Sequence, residues 1–356
     1  MSYYLKRKKY KLIFFLLLLI LLLAVLGTTT VGIANISTDR VLGIIFTRIF
    51  AKIPGLAGLI GETNINLEDT SAIIVWQLRL PRVILAALVG ALLASVGACF
   101  QGLFRNPMAD PYVLGISNGA GAGATVAIVL GLGGMARGAA WVSFLAFGGA
   151  MVTTLAVYAI ANVRGRLPII NLLLAGIAVG FFASALVTIL MVLNKESTER
   201  IIKWLMGSVS AADWEQVALV APVTIAGWFV LYLFARDLNA CQAGEETALS
   251  LGVKVESVKK LLLGVCALLI AVCVSVSGII GFVGLVVPHA ARILVGPDQR
   301  GLLPFSAVGG ALFLIVCDTL ARSLIPPMEL PVGAVTSLFG APYFCLLLIK
   351  AKKKVS

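Results

Sequence analysis

Ionisable side chains are scarce in this chain, and several stand inside or beside long apolar runs, where each must be paired, solvated or put to use. Arg79 and Arg82 bracket Pro81 at the head of one such run, and Asp318 and Arg322 stand four apart in another, at helical pairing distance. Glu245 and Glu246 open a short stretch that Gly252 closes, and His289 follows Pro288 as the only histidine. The chemistry open to these groups is ion pairing, docking and mechanical coupling. A multi-histidine metal or haem site within one chain is excluded, and a single histidine without an HExxH spacing gives an intramembrane enzyme no metal-hydrolase set. Cys266 and Cys273 share a helix face at seven-residue spacing, which admits a soft-metal pair. With no CxxC among the six cysteines, they read first as small buried hydrophobes.

The elements that must carry these residues are membrane spans. Hydrophobic residues make up 60% of the 356, charged residues 12%, and mean hydropathy is +1.05; a soluble domain carries about a quarter charged. The stretch 77–124 shows the layout in miniature. Arginines stand at one face, about 20 apolar residues follow, Arg105-Asn106-Pro107 makes a polar turn, and a glycine-rich return run begins. Cutting at polar and Pro/Gly interruptions predicts ten spans, near 12–34, 73–104, 112–132, 140–162, 169–193, 215–235, 258–277, 279–295, 303–323 and 331–349. The fold class is therefore an all-α polytopic membrane protein, with residues 1–356 forming one transmembrane domain. The basic head (Lys6, Arg7, Lys8, Lys9, Lys11) before an apolar run reads as an uncleaved first span, with Gly32-Ile33-Ala34 only a weak cleavage candidate.

Ten spans put both termini on one side. Counted under this topology, 18 Lys/Arg and 6 Asp/Glu lie on the side of the termini, against 10 and 10 on the other, so the net +12 sits on one face. Short positive loops stay in the cytoplasm, which predicts cytoplasmic termini, Lys350, Lys352, Lys353 and Lys354 included. The basic charge is an orientation signal and asks for no nucleic-acid partner. Two external segments, 38–52 and 198–208, read as surface helices, the second amphipathic with Trp204 as interfacial anchor.

The segment 236–260 is the longest internal hydrophilic interruption and is predicted cytoplasmic. A short helix over 245–251, with Ala248, Leu249 and Leu251 as an apolar patch, should end at Gly252 in a left-handed conformation. So short a helix is marginal alone and needs a surface, either this chain or a cytoplasmic subunit. Gly115, Gly119, Gly121 and Gly123, with Ser117 and Asn118, form a small-residue stripe suited to close helix packing. Ser117, Asn118 and Asn171 are also candidates for the wall of a translocation path. Asp318 either satisfies Arg322 or marks a proton path. Arg79, Arg82 and Arg322 read either as interfacial anchors or as a docking set for a partner's carboxylates.

EETALSLG at 245–252 resembles the E-x-A-x-x-x-G coupling loop of ABC importer permeases. RLPR at 79–82, NPMADPYVLGISNGAGAG from Asn106, WLMGS from Trp204, GIIGFVGLVVPHAARILVGPD from Gly278 and ELPVGAVTSLFGAPYFCLLLIK from Glu329 resemble the iron-siderophore and cobalamin importer (FecCD-like) family in order. The resemblance implies ten spans, a homodimer or close heterodimer, and an ATPase subunit in two copies gripping Glu245, Glu246, Ala248, Leu249, Leu251 and Gly252. It also implies an extracytoplasmic substrate-binding protein docking on Arg79, Arg82 and Arg322. The chain would sit in the cytoplasmic membrane of a bacterium or archaeon. No cofactor is expected on it: with no GxxxxGK[ST] run, ATP and Mg belong to the partner. The cargo implied is an iron chelate such as a ferric siderophore, with haem and cobalamin as alternatives. The rival is an ion-coupled secondary transporter working without an ATPase, for which the sequence offers only Asp318.

Overall fold

The computed structural model describes residues 2–32, 34, 36–50, 69–135 and 137–352. Fifteen α-helices follow in chain order among them: α1 (Ser2–Thr30), α2 (Thr38–Phe50), α3 (Thr70–Ile73), α4 (Leu80–Leu103), α5 (Ile116–Val129), α6 (Gly138–Ala161), α7 (Ile169–Leu193), α8 (Thr198–Leu205), α9 (Trp214–Leu233), α10 (Ala235–Ala243), α11 (Glu245–Ser250), α12 (Val255–Ser277), α13 (Val283–Val295), α14 (Gln299–Ser323) and α15 (Val332–Lys352). The described residues contain no strand, only two isolated bridges.

Among the described residues seven helical segments are long and apolar enough to cross a bilayer, and three shorter apolar stretches (Ile116–Val129, Val283–Val295 and, within α15, Val332–Leu346) stand where the sequence predicts its third, eighth and tenth spans. The third falls short for a local reason. Pro111 starts a 3-10 turn (Pro111–Leu114) and Gly115, at φ +70°, redirects the chain, so α5 keeps 14 residues, roughly 21 Å at 1.5 Å per residue. The eighth starts late because Gly278 and Phe282 both hold positive φ. Lys52, Lys353 and Lys354, and Ile33 of the cleavage candidate, lie outside the described residues, as do the side chains of Lys6, Arg7, Lys8, Lys9, Lys350 and Lys352.

At the centre stands α4, buried along most of its length between α14, α13, α9 and α12. Two glycine pairs bring backbones together: a Cβ on Gly90 would strike the Gly310 carbonyl of α14, and one on Gly97 the Gly284 carbonyl of α13. Small residues at such crossings allow the close van der Waals packing that drives helix association in lipid. By contrast α1, α6, α7 and α9 keep most of their apolar surface outward, with Phe181 and Phe182 among the most exposed residues. That is the distribution expected of a bundle whose outer helices face lipid.

A π-helical turn, Ile74–Arg79, joins α3 to α4 within the predicted second span. Its widened turn frees the Trp76 carbonyl, which accepts a hydrogen bond from Trp214 Nε1 at 2.8 Å, and the two indole rings lie 5.2 Å apart. Around this joint α2 packs through Val41, Ile44 and Ile45, and an Arg40–Asp69 ion pair ties it to the start of α3.

Candidate functional site

The charged residues of the sequence motifs gather at two ends of the bundle. At one end Arg79 leaves the π turn, Arg82 the first turn of α4 and Arg322 the last turn of α14, and all three are buried. Arg82 reaches Asp318 through Nε at 3.0 and 3.1 Å and through Nη2 at 2.9 Å, while its Nη1 donates to Glu329 at 2.9 and 3.0 Å. Asp318 therefore pairs chiefly with Arg82, not with Arg322 as its i,i+4 spacing predicts; Arg322 Nε stands 3.9 Å away. The fork of a guanidinium suits a two-oxygen grip, and Arg82 is placed to give one where Arg322 is not.

Three guanidinium groups face only two carboxylates here, and backbone carbonyls make up the difference. Arg322 donates to the carbonyls of Thr28 (2.5 Å) and Val31 (2.9 Å), and Arg79 to those of Thr29 (3.2 Å), Thr30 (3.1 Å) and Ala34 (2.6 Å). These carbonyls stand at the C-terminal end of α1 and just beyond it, where the helix dipole is negative; that of Thr28 also accepts the Val31 backbone N–H at 3.3 Å. With no basic residue in its own last turn, α1 is capped by α14 and the π turn. The three arginines are thus turned inward onto their own chain. Glu329, which sequence reasoning missed as a partner, is the more open carboxylate, with 38% of its side chain exposed against 2% for Asp318.

At the other end α11 has the predicted form. Gly244 (φ +128°) precedes it, and Gly252 (φ +82°) ends it in the left-handed region. Gly252 N donates to Leu249 O and Val253 N to Ala248 O, both at 2.9 Å, closing the helix end as glycine caps do. The apolar patch is divided. Ala248 is fully buried against Cys241 of α10 and Val255 of α12, whereas Leu249 and Leu251 are 61% and 68% exposed. So the short helix lies on its own chain by one face and presents two leucines from the other. Glu245 is bonded at 2.5 Å by Lys259 Nζ of α12, a residue the sequence reading did not single out. That hydrogen bond holds the Glu245 carboxyl below its usual pKa. Glu246 makes no hydrogen bond or ion pair among the described residues.

Ser117 and Asn118 begin α5 and Asn171 begins α7. Ser117 is buried; Asn118 and Asn171 are part-buried. Asn118 sits beside Gly180, nine residues along α7 from Asn171, about 14 Å in helix rise, so the three do not form one cluster. The glycine stripe has a packing role: a Cβ on Gly119 would collide with Thr153 and Gly149 of α6, and one on Gly123 with the Leu145 carbonyl. Residues 115–119 also spell G-x-S-x-G, but they follow a 3-10 turn instead of the strand of a nucleophile elbow.

The model of the FecCD transport family matches residues 15–350. The cobalamin import system permease protein BtuC of Halobacterium salinarum is 46% identical over 283 residues, 80% of this chain and 75% of the relative. The hemin transport system permease protein HmuU of Yersinia pestis is 40% identical over 295 residues, 82% and 88% of the two chains. A solved structure described as an inward-facing conformation of a metal-chelate type ABC transporter superposes with TM-score 0.79 at 29% identity, covering 95% of this chain and 99% of that one.

Proposed function

This chain belongs to the FecCD transport family as a multi-pass permease of an ABC importer, and from that premise we propose how it assembles, what it carries and which residues do the work. Two copies, or one copy and a close relative, enclose a central path, each with ten spans and both termini in the cytoplasm of a bacterium or archaeon. The three shorter apolar stretches support that count: the first follows a 3-10 turn at the head of its predicted span, and the last continues in α15 to Lys352. The net charge supports the orientation. The whole chain acts as one permease domain, with 236–260 as its cytoplasmic coupling segment.

The observation that carries the coupling assignment is the divided face of α11: Ala248 inward, Leu249 and Leu251 outward, Gly252 closing the turn. A solvent-facing leucine pair, Leu249 in the six-residue helix and Leu251 at its C-cap, fits a groove in an ATPase subunit, one per permease, which holds the ATP and Mg. ATP binding and hydrolysis there bias the permease between outward- and inward-open states, so the coupling is mechanical.

At the opposite end a substrate-binding protein docks over the Arg79, Arg82 and Arg322 cluster. An incoming carboxylate can replace the exposed Glu329 at Arg82 without uncovering Asp318. Charge pairing of this kind sets orientation and encounter rate. The cargo is a large metal chelate, a ferric siderophore, haem or cobalamin; the relatives named for cobalamin and hemin support that class. Ser117, Asn118 and Asn171 are the residues proposed for the path wall.

Gentle-detergent purification of the tagged chain from native membranes, with mass spectrometry of its companions, tests this. An ABC ATPase and a binding protein should come along, and that binding protein can be titrated with ferric siderophores, haem and cobalamin. Recovery of the permease alone, after cross-linking, together with uptake that collapses on adding an uncoupler, would return the case to an ion-coupled transporter.

A further inference from the structure

Lys259 is an ammonium 6% exposed, one turn into α12, and it holds two carboxylates. Its Nζ lies 2.5 Å from Glu245 Oε1 on α11 and 3.4 Å from Glu256 Oε1 on α12. Glu256 uses its other oxygen, Oε2, to accept the backbone N–H of Leu167 at 3.2 Å. Leu167 is itself buried, directly after the tight turn whose Val163 and Arg166 exchange backbone hydrogen bonds, and two residues before α7 begins. A continuous polar chain therefore runs from α11 through Lys259 and Glu256 to the α6–α7 turn. Asn171 stands one helical turn beyond Leu167.

The apolar contact under α11 is small: Ala248 against Cys241 and Val255, with Ala240 and Val253 at the margin. A six-residue helix held by so little would swing independently of the bundle unless polar bonds fixed its angle. Nothing else in the described residues bonds the α11 side chains to α12. Burying an ammonium is costly unless its partners are in place, so Lys259 resists losing Glu245 and Glu256 separately.

We infer that Lys259 and Glu256 are positioning residues that pass a displacement of α11 to the start of α7, so that the ATPase end and the candidate path helix move together. This rests on the coupling role proposed for α11. Lys259 touches neither nucleotide nor cargo; it acts through Glu245 on one side and through Glu256 and Leu167 on the other.

The test uses the permease co-purified with its ATPase in nanodiscs. Amide hydrogen exchange is followed at 163–172 and at 245–252, without nucleotide and after trapping with ATP and vanadate. In the native complex both segments should change on trapping. In Lys259→Met the response at 245–252 should persist while that at 163–172 shrinks by on the order of tenfold, the size of a typical pathway coupling; Lys259→Arg should restore much of it. Glu256→Gln, which spares the Lys259–Glu245 bond, should give the same loss at 163–172 and serves where Lys259→Met fails to assemble. Native-size responses at 163–172 in both Lys259→Met and Glu256→Gln would overturn the inference. A native permease that brings no ATPase fails before any variant is made, which removes the coupling reading itself and the inference with it.

Discussion

Arg82 of α4 and Asp318 of α14 are separated by 236 residues in sequence and joined by hydrogen bonds of 3.0 and 3.1 Å from one nitrogen, with a second nitrogen at 2.9 Å. Asp318 is 1% exposed and Arg82 8%. The pair locks the two helices that pack most extensively at the bundle centre, and it leaves Arg322 free to cap α1.

Breaking one partner of such a pair is worse than removing both. Asp318→Asn leaves Arg82 and Arg322 with a single carboxylate, Glu329, between them, and should lower stability by about 3–5 kcal/mol. Arg82→Met with Asp318→Leu should cost clearly less than the two single changes added together. Thermal unfolding of the detergent-solubilised permease measures all three variants, and strict additivity would mean that the pair is not a coupled unit.

Gly252 has open space around it, so its requirement is conformational: no atom lies within 4 Å of an added Cβ, but φ is +82°. A bulky β-branched residue pays about 1–2 kcal/mol for that conformation and should unwind the end of α11. Gly252→Val and Glu246→Lys are expected to abolish ATP-driven uptake while membrane insertion is unchanged. Transport assays beside a membrane-fraction blot check this, and normal uptake by both variants would end the coupling assignment.

The two faces of α11 separate docking from folding. Leu249→Glu alters an exposed side chain and should change permease stability by no more than about 0.5 kcal/mol, yet reduce ATPase co-purification strongly. Ala248→Leu overpacks a closed contact and should destabilise the segment by about 1–3 kcal/mol. Pull-down and proteolysis of each variant give the two readouts independently.

Glu245 makes the attachment of α11 pH-sensitive on the acid side. Its folded pKa is depressed by the hydrogen bond from Lys259, with Lys259 and Arg105 charges adding to the effect; Glu256 also faces the lysine. The stabilisation is therefore complete above the unfolded carboxylate value of about 4.3 and is lost as pH falls through the lower folded value. Exchange protection at 245–252 should stay level from pH 7 to about 5 and drop below about 4. Glu245→Gln should abolish that step; an unchanged profile in that variant would assign it to another group.

Much of this molecule was legible without coordinates because its signals are local. Apolar runs marked the helices, and Gly252 was expected in the left-handed cap that it adopts; the break at Pro111 and Gly115 that shortens α5 fell at the head of the span predicted over 112–132 and went unread. The glycines at 119 and 123 read as packing residues, and α6 lies against both. Asp318 shows where this logic stops. Its four-residue spacing pointed to Arg322, but the bond went to Arg82, because helix spacing ranks only neighbours on the same helix.

Sequence by itself determined the membrane class, most of the helix positions and the family, since hydropathy and motif order are properties of the chain read in one dimension. Tertiary structure alone decided that the three arginines turn inward to Asp318, Glu329 and the carbonyls ending α1. It alone split the α11 patch between a buried Ala248 and an exposed leucine pair, and joined Lys259 to Glu245. The reason is that a buried charge takes whichever partner the packed helices bring within about 3 Å, and that choice depends on crossings between segments hundreds of residues apart.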